Sequence, residues 1–179
     1  MSAKKPNDPL EKLSQLTTTE RLLIRTYRCW IAGMRLNNDY HWDQAWSAMS
    51  EHIGLESTRS VLSGLQSIIM GIGTSARRPI RLHPPCCGLV CPDELALIKL
   101  VGACQSNDQR LSRLVAEWMV TRHGIAILLE GATVIAAELT QREIYFPNRT
   151  CGRIMNAELF GKSSGNPSMS RMRLNVVGA

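Results

Sequence analysis

Three cysteines and a histidine lie close together in the segment His83-Pro84-Pro85-Cys86-Cys87-Gly88-Leu89-Val90-Cys91. Thiolates and imidazoles are the ligands that zinc prefers, and four of them complete its tetrahedral shell. The prolines restrict the backbone, which would help to hold four side chains around one ion. This composition predicts a metal site with zinc as the candidate ion. Its predicted ligands are His83, Cys86, Cys87 and Cys91.

Two other interpretations of the same cysteines stay open. Cys91 precedes a predicted helix, whose positive end would stabilise a thiolate, and Cys86 or Cys87 would then resolve an oxidised form. The carboxylates of Asp93 and Glu94 oppose that thiolate. Alternatively, the cysteines are small apolar residues packed beneath a proline-rich loop. The segment thus predicts a metal site, a redox sensor or simple packing.

A second candidate site lies upstream, where residues 49–65 resemble the helix-turn-helix of bacterial repressors. A short helix is followed by a Gly54-Leu55 turn and by a second helix that opens on small polar residues. The resemblance implies that the start of the second helix meets the major groove of DNA or its phosphates. Arginines just downstream of the resemblance support this hypothesis, because they would hold the phosphate backbone without reading the base sequence. The implied DNA-binding residues are Ser57, Thr58, Arg59, Ser60, Arg77, Arg78 and Arg81.

Apolar residues recur at helical spacing through most of the chain and predict about six helices. Thr17-Thr18-Thr19-Glu20 matches a capping box, and Asn37-Asn38-Asp39 interrupts the periodicity that follows it. Gly54 suits the end of a helix, and Pro92 suits the start of one. The predicted elements are a helix at 18–35, a second one ending at Gly54, a third ending near 71–74, a fourth from Pro92, a fifth ending at Arg122-His123-Gly124, and a sixth at 125–144.

Four prolines and two glycines make residues 73–92 an extended connector. We therefore expect an all-α fold of about six helices, in two packed helical halves joined by this Pro/Cys-rich connector. The predicted organisation is a flexible N-terminus (1–16), a helical domain (17–146) made of two three-helix units (17–72 and 93–146) around the connector, and a basic, partly disordered tail (147–179).

The length of 179 residues fits one domain, and 44% hydrophobic with 20% charged residues is ordinary for a globular protein. The net charge of +6 is unevenly distributed. Residues 147–179 contain five basic residues and one acidic residue, whereas residues 1–146 contain sixteen basic and fourteen acidic residues. The helical body is therefore nearly neutral. Any contact with an anionic partner is expected at the connector arginines or the tail.

The N-terminal residues have no apolar stretch typical of a secretory signal. The longest apolar segment, 125–139, contains Glu130 and Glu138 and is shorter than the roughly 20 residues of a membrane span. We expect a cytoplasmic protein with no membrane contact and with reduced cysteines.

The sequence contains no glycine-rich phosphate loop, His-Glu-x-x-His motif or Gly-x-Ser-x-Gly motif, so we expect no enzyme and assign no catalytic residue. The leading hypothesis is a regulatory protein that binds double-stranded DNA, is tuned by its cysteines and forms a homodimer through the apolar helix 125–144. The alternative is a helical protein-protein interaction or adaptor module that binds no nucleic acid, with structural or zinc-binding cysteines.

Overall fold

The computed structural model describes residues 11–147, and six α-helices account for most of them. Two antiparallel strands of two residues each and a short 3-10 helix, Leu13–Gln15, complete the regular structure of this part of the chain. The predicted all-α class with six helices is confirmed. The elements are β1 (Glu11–Lys12), α1 (Thr18–Leu36), α2 (Asp39–Ile53), α3 (Leu55–Ser75), β2 (Leu89–Val90), α4 (Pro92–Gln105), α5 (Gln109–Met119) and α6 (Arg122–Gln141).

Local hydrogen bonds explain where the first helices begin and end. The Thr17 hydroxyl accepts from the Glu20 amide at 3.3 Å, and the Glu20 carboxylate accepts from the Thr17 amide at 2.7 Å, which confirms the predicted capping box. Asn37 ends α1 in the left-handed conformation with φ 47°, and Asn38 caps α2 with its side chain. Gly54, with φ 79°, alone separates α2 from α3.

The antiparallel pair of α3 and α6 forms the centre of the molecule. Gly64 on α3 faces Gly131 on α6, and Ser75 at the end of α3 faces Gly124 at the start of α6. A Cβ atom on Gly131 would lie only 2.5 Å from the Gly64 carbonyl oxygen, so the two backbones are in direct contact. α2 packs on α3, α1 packs on α2, and α4 and α5 pack on α6.

One continuous hydrophobic core joins the two predicted halves. It includes residues of every helix together with Ile80 and Val90 of the connector. α4 is buried on nearly all sides, because it lies between α6, α5 and α1. The connector therefore runs along a shared core rather than between two separate ones.

The N-terminal segment differs from the prediction. Residues 11–16, expected to be flexible, are part of the fold: β1 pairs with β2, and Leu13 and Leu16 are buried. The Leu13 amide also donates to the Gly88 carbonyl at 2.9 Å. So short a strand leaves no detectable periodicity in the sequence. The predictions for residues 1–10 and for the tail after Pro147 lie outside the described residues.

The boundary between α5 and α6 also differs. Arg122-His123-Gly124, predicted to end the fifth helix, forms the first turn of α6 instead. α5 ends at Met119 because the next residues are extended and bonded to the end of α3, where the Thr121 amide donates to the Ser75 carbonyl at 2.7 Å. This contact depends on the fold and leaves no local signal.

Candidate functional site

Two of the predicted DNA-binding residues face the protein interior. Ser57 and Thr58 are buried in the first turn of α3. The Ser57 hydroxyl accepts from Arg142 Nε at 2.7 Å, and the Thr58 hydroxyl donates to the Gly54 carbonyl at 2.8 Å. α3 is a core helix, so the small polar residues at its start join α2, α3 and the end of α6.

Arg59 and Ser60 lie closer to solvent. The Arg59 side chain is 74% exposed, while Ser60 is half-buried. Glu56 lies one turn earlier on the same face, with a carboxylate oxygen 3.9 Å from an Arg59 guanidinium nitrogen. The exposed start of α3 thus presents one cation beside one anion, which weakens its attraction for phosphate.

The connector arginines join the connector to α4 and α5. Arg77 Nε donates to the Val120 carbonyl at 2.9 Å. Arg78 forms a two-pronged ion pair with Asp93, at 2.6 and 3.1 Å, and lies 4.2 Å from the centre of the Trp118 ring. Arg81 also bonds Asp93, but through its backbone amide, at 2.7 Å, and residue 81 is exposed.

A buried ion pair holds the Pro/Cys connector in place. Arg28 of α1 and Glu94 of α4 are both fully buried, with Nε to Oε1 at 2.6 Å and Nη2 to Oε2 at 2.8 Å. The remaining guanidinium donors reach the carbonyls of Cys87 and Leu89, each at 2.6 Å. Arg28 thereby connects α1 to α4 and to the connector between them.

Glu94 also holds the connector, through hydrogen bonds from backbone amides to its carboxylate. Its carboxylate accepts from the His83 amide at 3.1 Å and from the Cys91 amide at 2.9 Å. The second bond belongs to a capping box at the start of α4, with the glutamate three residues after Cys91. That spacing was a signal for a helix start in the sequence. Nothing local indicated that Glu94 pairs with Arg28.

The structure does not bring the four predicted metal ligands together among the described residues, so it gives the metal-site prediction no support. Cys86 lies at the exposed tip of a turn closed by the Cys87 amide and the Pro84 carbonyl, 3.0 Å apart. Cys91 is buried and its thiol donates to the Arg81 carbonyl at 3.2 Å. Within residues 11–147, no three histidine, cysteine or acidic side chains converge on a common point. The Arg28–Glu94 pair holds this stretch of the connector in place through the carbonyls of Cys87 and Leu89.

Cys91 also lacks the properties of a redox-sensing thiolate. Burial raises the pKa of its thiol to about 12, and the nearby charge of Glu94 acts in the same direction. These effects outweigh the positive end of α4. A raised pKa lowers the thiolate fraction at neutral pH, which argues against the interpretation in which Cys91 is the sensor.

We expect the raised Cys91 pKa to destabilise the fold in alkaline solution. The unfolded chain releases this proton near pH 9, whereas the folded chain retains it up to about pH 12. The contribution of the protonated Cys91 thiol to the free energy of unfolding is therefore fully present below about pH 8.5. It declines as pH rises, by up to about 1.4 kcal/mol per pH unit. Urea unfolding across this range should show a steeper decline for the parent than for Cys91→Ala. Tyr27, whose pKa is also raised by burial, is present in both the parent and the Cys91→Ala variant, so it does not account for a difference between them. Equal declines would contradict the prediction.

A cleft of about 730 Å³ lies between the N-terminal segment, α1, α2 and the tip of the connector turn. Its walls contain three basic side chains, two hydroxyls, one imidazole and one carboxylate, together with the two adjacent thiols of the connector. The residues that line it are Lys12, Leu13, Ser14, Thr18, Arg21, Leu22, Arg25, Ala48, Glu51, His52, Cys86, Cys87 and Gly88.

Within residues 11–147, the basic side chains of this cleft outnumber its acidic ones. Arg21 and Arg25 are one turn apart on α1, so their side chains lie on the same helix face. Arg21 donates to the Thr18 hydroxyl at 3.2 Å, which aligns the guanidinium without cancelling its charge. Among the described side chains, neither arginine nor Lys12 forms an ion pair. Nothing local in the sequence indicated that these cations would line a concave surface together with the connector thiols.

No protein-family model, curated protein or solved structure matches this chain. Its function is therefore inferred from the geometry and charge of its own residues. Of the described surface, the cleft combines concavity, an excess of basic side chains and the exposed thiol of Cys86, and this combination makes it the strongest candidate site.

One helix of the described part, α6, is long and apolar enough to cross a membrane by length and composition alone. Leu128, Ala132 and Ile135 on one side of it are buried, as in the core helix of a globular protein. The other side exposes Ile127 and Val134, at 40% and 37% of their surface. The homodimer contact expected for this helix, and the cytoplasmic location, stay predictions.

Proposed function

We propose that this protein is a helical interaction module that binds an acidic segment of a partner protein in the cleft. The proposal is supported by three basic side chains, Lys12, Arg21 and Arg25, that line one concave space and form no ion pair with another described side chain. Among the described side chains that line it, Glu51 is the one acidic residue. A cleft with an excess of one charge concentrates ligands of the opposite charge.

The shape and the walls of the cleft favour a peptide segment over duplex DNA. A DNA-binding helix must project from the surface to enter the major groove, whereas α3 is packed into the core. The cleft is concave, and its walls include Leu13, Leu22 and Ala48. A segment that combines acidic and apolar side chains fits such walls.

The Arg28–Glu94 pair gives this site a fixed shape. It holds the carbonyls of Cys87 and Leu89, so the connector wall of the cleft is already ordered before a ligand arrives. Binding to a preorganised wall loses less conformational entropy than binding to a flexible loop. The buried pair therefore supports recognition as well as stability.

Fluorescence anisotropy with a labelled peptide of alternating glutamate and leucine tests the proposal. We expect the full chain to bind the peptide and to release it as salt increases, because the attraction is electrostatic and exposed. Arg25→Glu should weaken binding at least about tenfold, since it replaces an attraction by a repulsion. The matched control is Arg110→Glu, at an exposed position on α5 remote in sequence from the cleft residues, which should bind like the parent.

Two results would overturn the proposal. One is the absence of peptide binding by the parent chain, or equal weakening by Arg25→Glu and Arg110→Glu. The other comes from the same titration with a labelled DNA duplex. Duplex binding that is lost in Arg59→Ala and retained in Arg25→Glu would instead support the DNA-binding hypothesis, which otherwise stays a prediction.

A further inference from the structure

We propose that Cys86 forms a mixed disulfide with a small acidic disulfide, of which oxidised glutathione is an example, selected by the cations of the cleft. The inference rests on the part of the proposed function that assigns anion binding to this cleft. It adds a covalent site and a form of regulation, because a group attached to Cys86 would occupy the space that an acidic segment needs.

The turn at 84–87 places this thiol at the cleft. The Cys87 amide donates to the Pro84 carbonyl at 3.0 Å, so Pro85 and Cys86 are the two central residues of a tight turn. Cys86 is exposed and lines the same cleft as Arg21 and Arg25. An acidic disulfide attracted by these guanidinium groups is thereby concentrated beside an accessible thiol.

The other described cysteines are less accessible. Cys91 is buried, and Cys29, Cys87 and Cys104 are half-buried. Burial raises the pKa of the thiols of Cys29 and Cys104, which lowers their thiolate fraction at neutral pH. Exchange among residues 11–147 is therefore expected at Cys86.

The reaction is a balanced thiol-disulfide exchange. The Cys86 thiolate attacks one sulfur of the acidic disulfide, a new sulfur-sulfur bond forms to Cys86, and the original disulfide bond breaks. The departing half leaves as a thiolate and takes up the proton that Cys86 lost. Cys86 is oxidised and the departing half is reduced, so the acidic disulfide is itself the oxidant.

The neighbouring thiol of Cys87 is poorly placed to reverse this step. Adjacent Cα atoms are about 3.8 Å apart across a trans peptide, which is shorter than the roughly 4.4 Å lower limit usual for disulfides. The Cys87 backbone is also held at both ends, by its amide bond to Pro84 and by Arg28 on its carbonyl. A bond between Cys86 and Cys87 would break this turn, so the mixed disulfide should persist.

The test compares three disulfides on the full chain: oxidised glutathione, the neutral bis(2-hydroxyethyl) disulfide and the cationic cystamine. Peptide mass spectrometry gives the rate of modification at Cys86, and each rate is divided by the rate for the same chain in urea to remove intrinsic differences in reactivity. We expect the normalised glutathione rate to exceed the cystamine rate at least about tenfold. Arg21→Ala with Arg25→Ala should abolish most of this preference, and Arg110→Ala should retain it.

Three results would overturn the inference: no modification at Cys86, equal normalised rates for the acidic and cationic disulfides, or a preference that the double arginine variant retains. Peptide binding to Cys86→Ser separates the two proposals. If this variant does not bind the acidic peptide but the parent shows the charge preference, the proposed function fails and the inference stands. If the peptide binds and no charge preference is found, the inference fails alone.

Discussion

Arg28→Met is expected to lower the free energy of unfolding by about 3–5 kcal/mol, because it leaves the fully buried Glu94 carboxylate without its countercharge. Methionine fills much of the space of the arginine stem, so the effect is mainly electrostatic. The carbonyls of Cys87 and Leu89 also lose their donors. We expect the connector turn to loosen and the affinity of the cleft for the acidic peptide to fall with it.

Urea unfolding of the single and double variants measures this effect. Arg28→Met combined with Glu94→Leu removes both buried charges, so it should recover part of the lost stability. The matched control is Arg113→Met, which removes an exposed ion pair with Glu117 at 3.1 Å and should change stability by less than about 1 kcal/mol. A loss of similar size in Arg28→Met and Arg113→Met would show that burial does not govern the Arg28 interaction.

Gly131→Ala is expected to destabilise the protein by about 1–3 kcal/mol, although alanine is the better helix former. The added Cβ would lie 2.5 Å from the Gly64 carbonyl oxygen, which is a backbone atom and cannot rotate away. α3 and α6 would have to separate at their crossing. The gain in helix propensity, about 0.5–1 kcal/mol, is too small to offset that separation.

Gly102→Ala is the control for this substitution, because Gly102 lies inside α4. Its added Cβ would meet only the Cβ of Phe146, at an ordinary distance of 3.6 Å. We expect it to leave the melting temperature unchanged or to raise it slightly, by the propensity gain alone. Thermal unfolding of Gly131→Ala and Gly102→Ala should therefore give changes in melting temperature that have opposite signs or clearly different sizes. Equal shifts would contradict close backbone contact at Gly131.

The connector is organised by a contact that local sequence does not specify. Its cysteines and prolines suggested a metal site or a thiolate, because residue types and spacing are visible in a linear chain. The actual organising contact joins Arg28 to Glu94, which are 66 positions apart. The start of α3 is a second example. Its small polar residues Ser57 and Thr58 resemble residues that face a DNA groove, but they are buried in the folded protein.

The sequence alone determined the six helices and several of their ends, including the Thr17 capping box, the break at Asn37 and the start of α4 at Pro92. These features depend on hydrogen bonds and apolar spacing within a few residues, which the local sequence specifies. The tertiary structure decided which charges are buried in pairs and which remain available in the cleft. Burial and pairing depend on segments that are distant in sequence, so they are settled only when the core assembles.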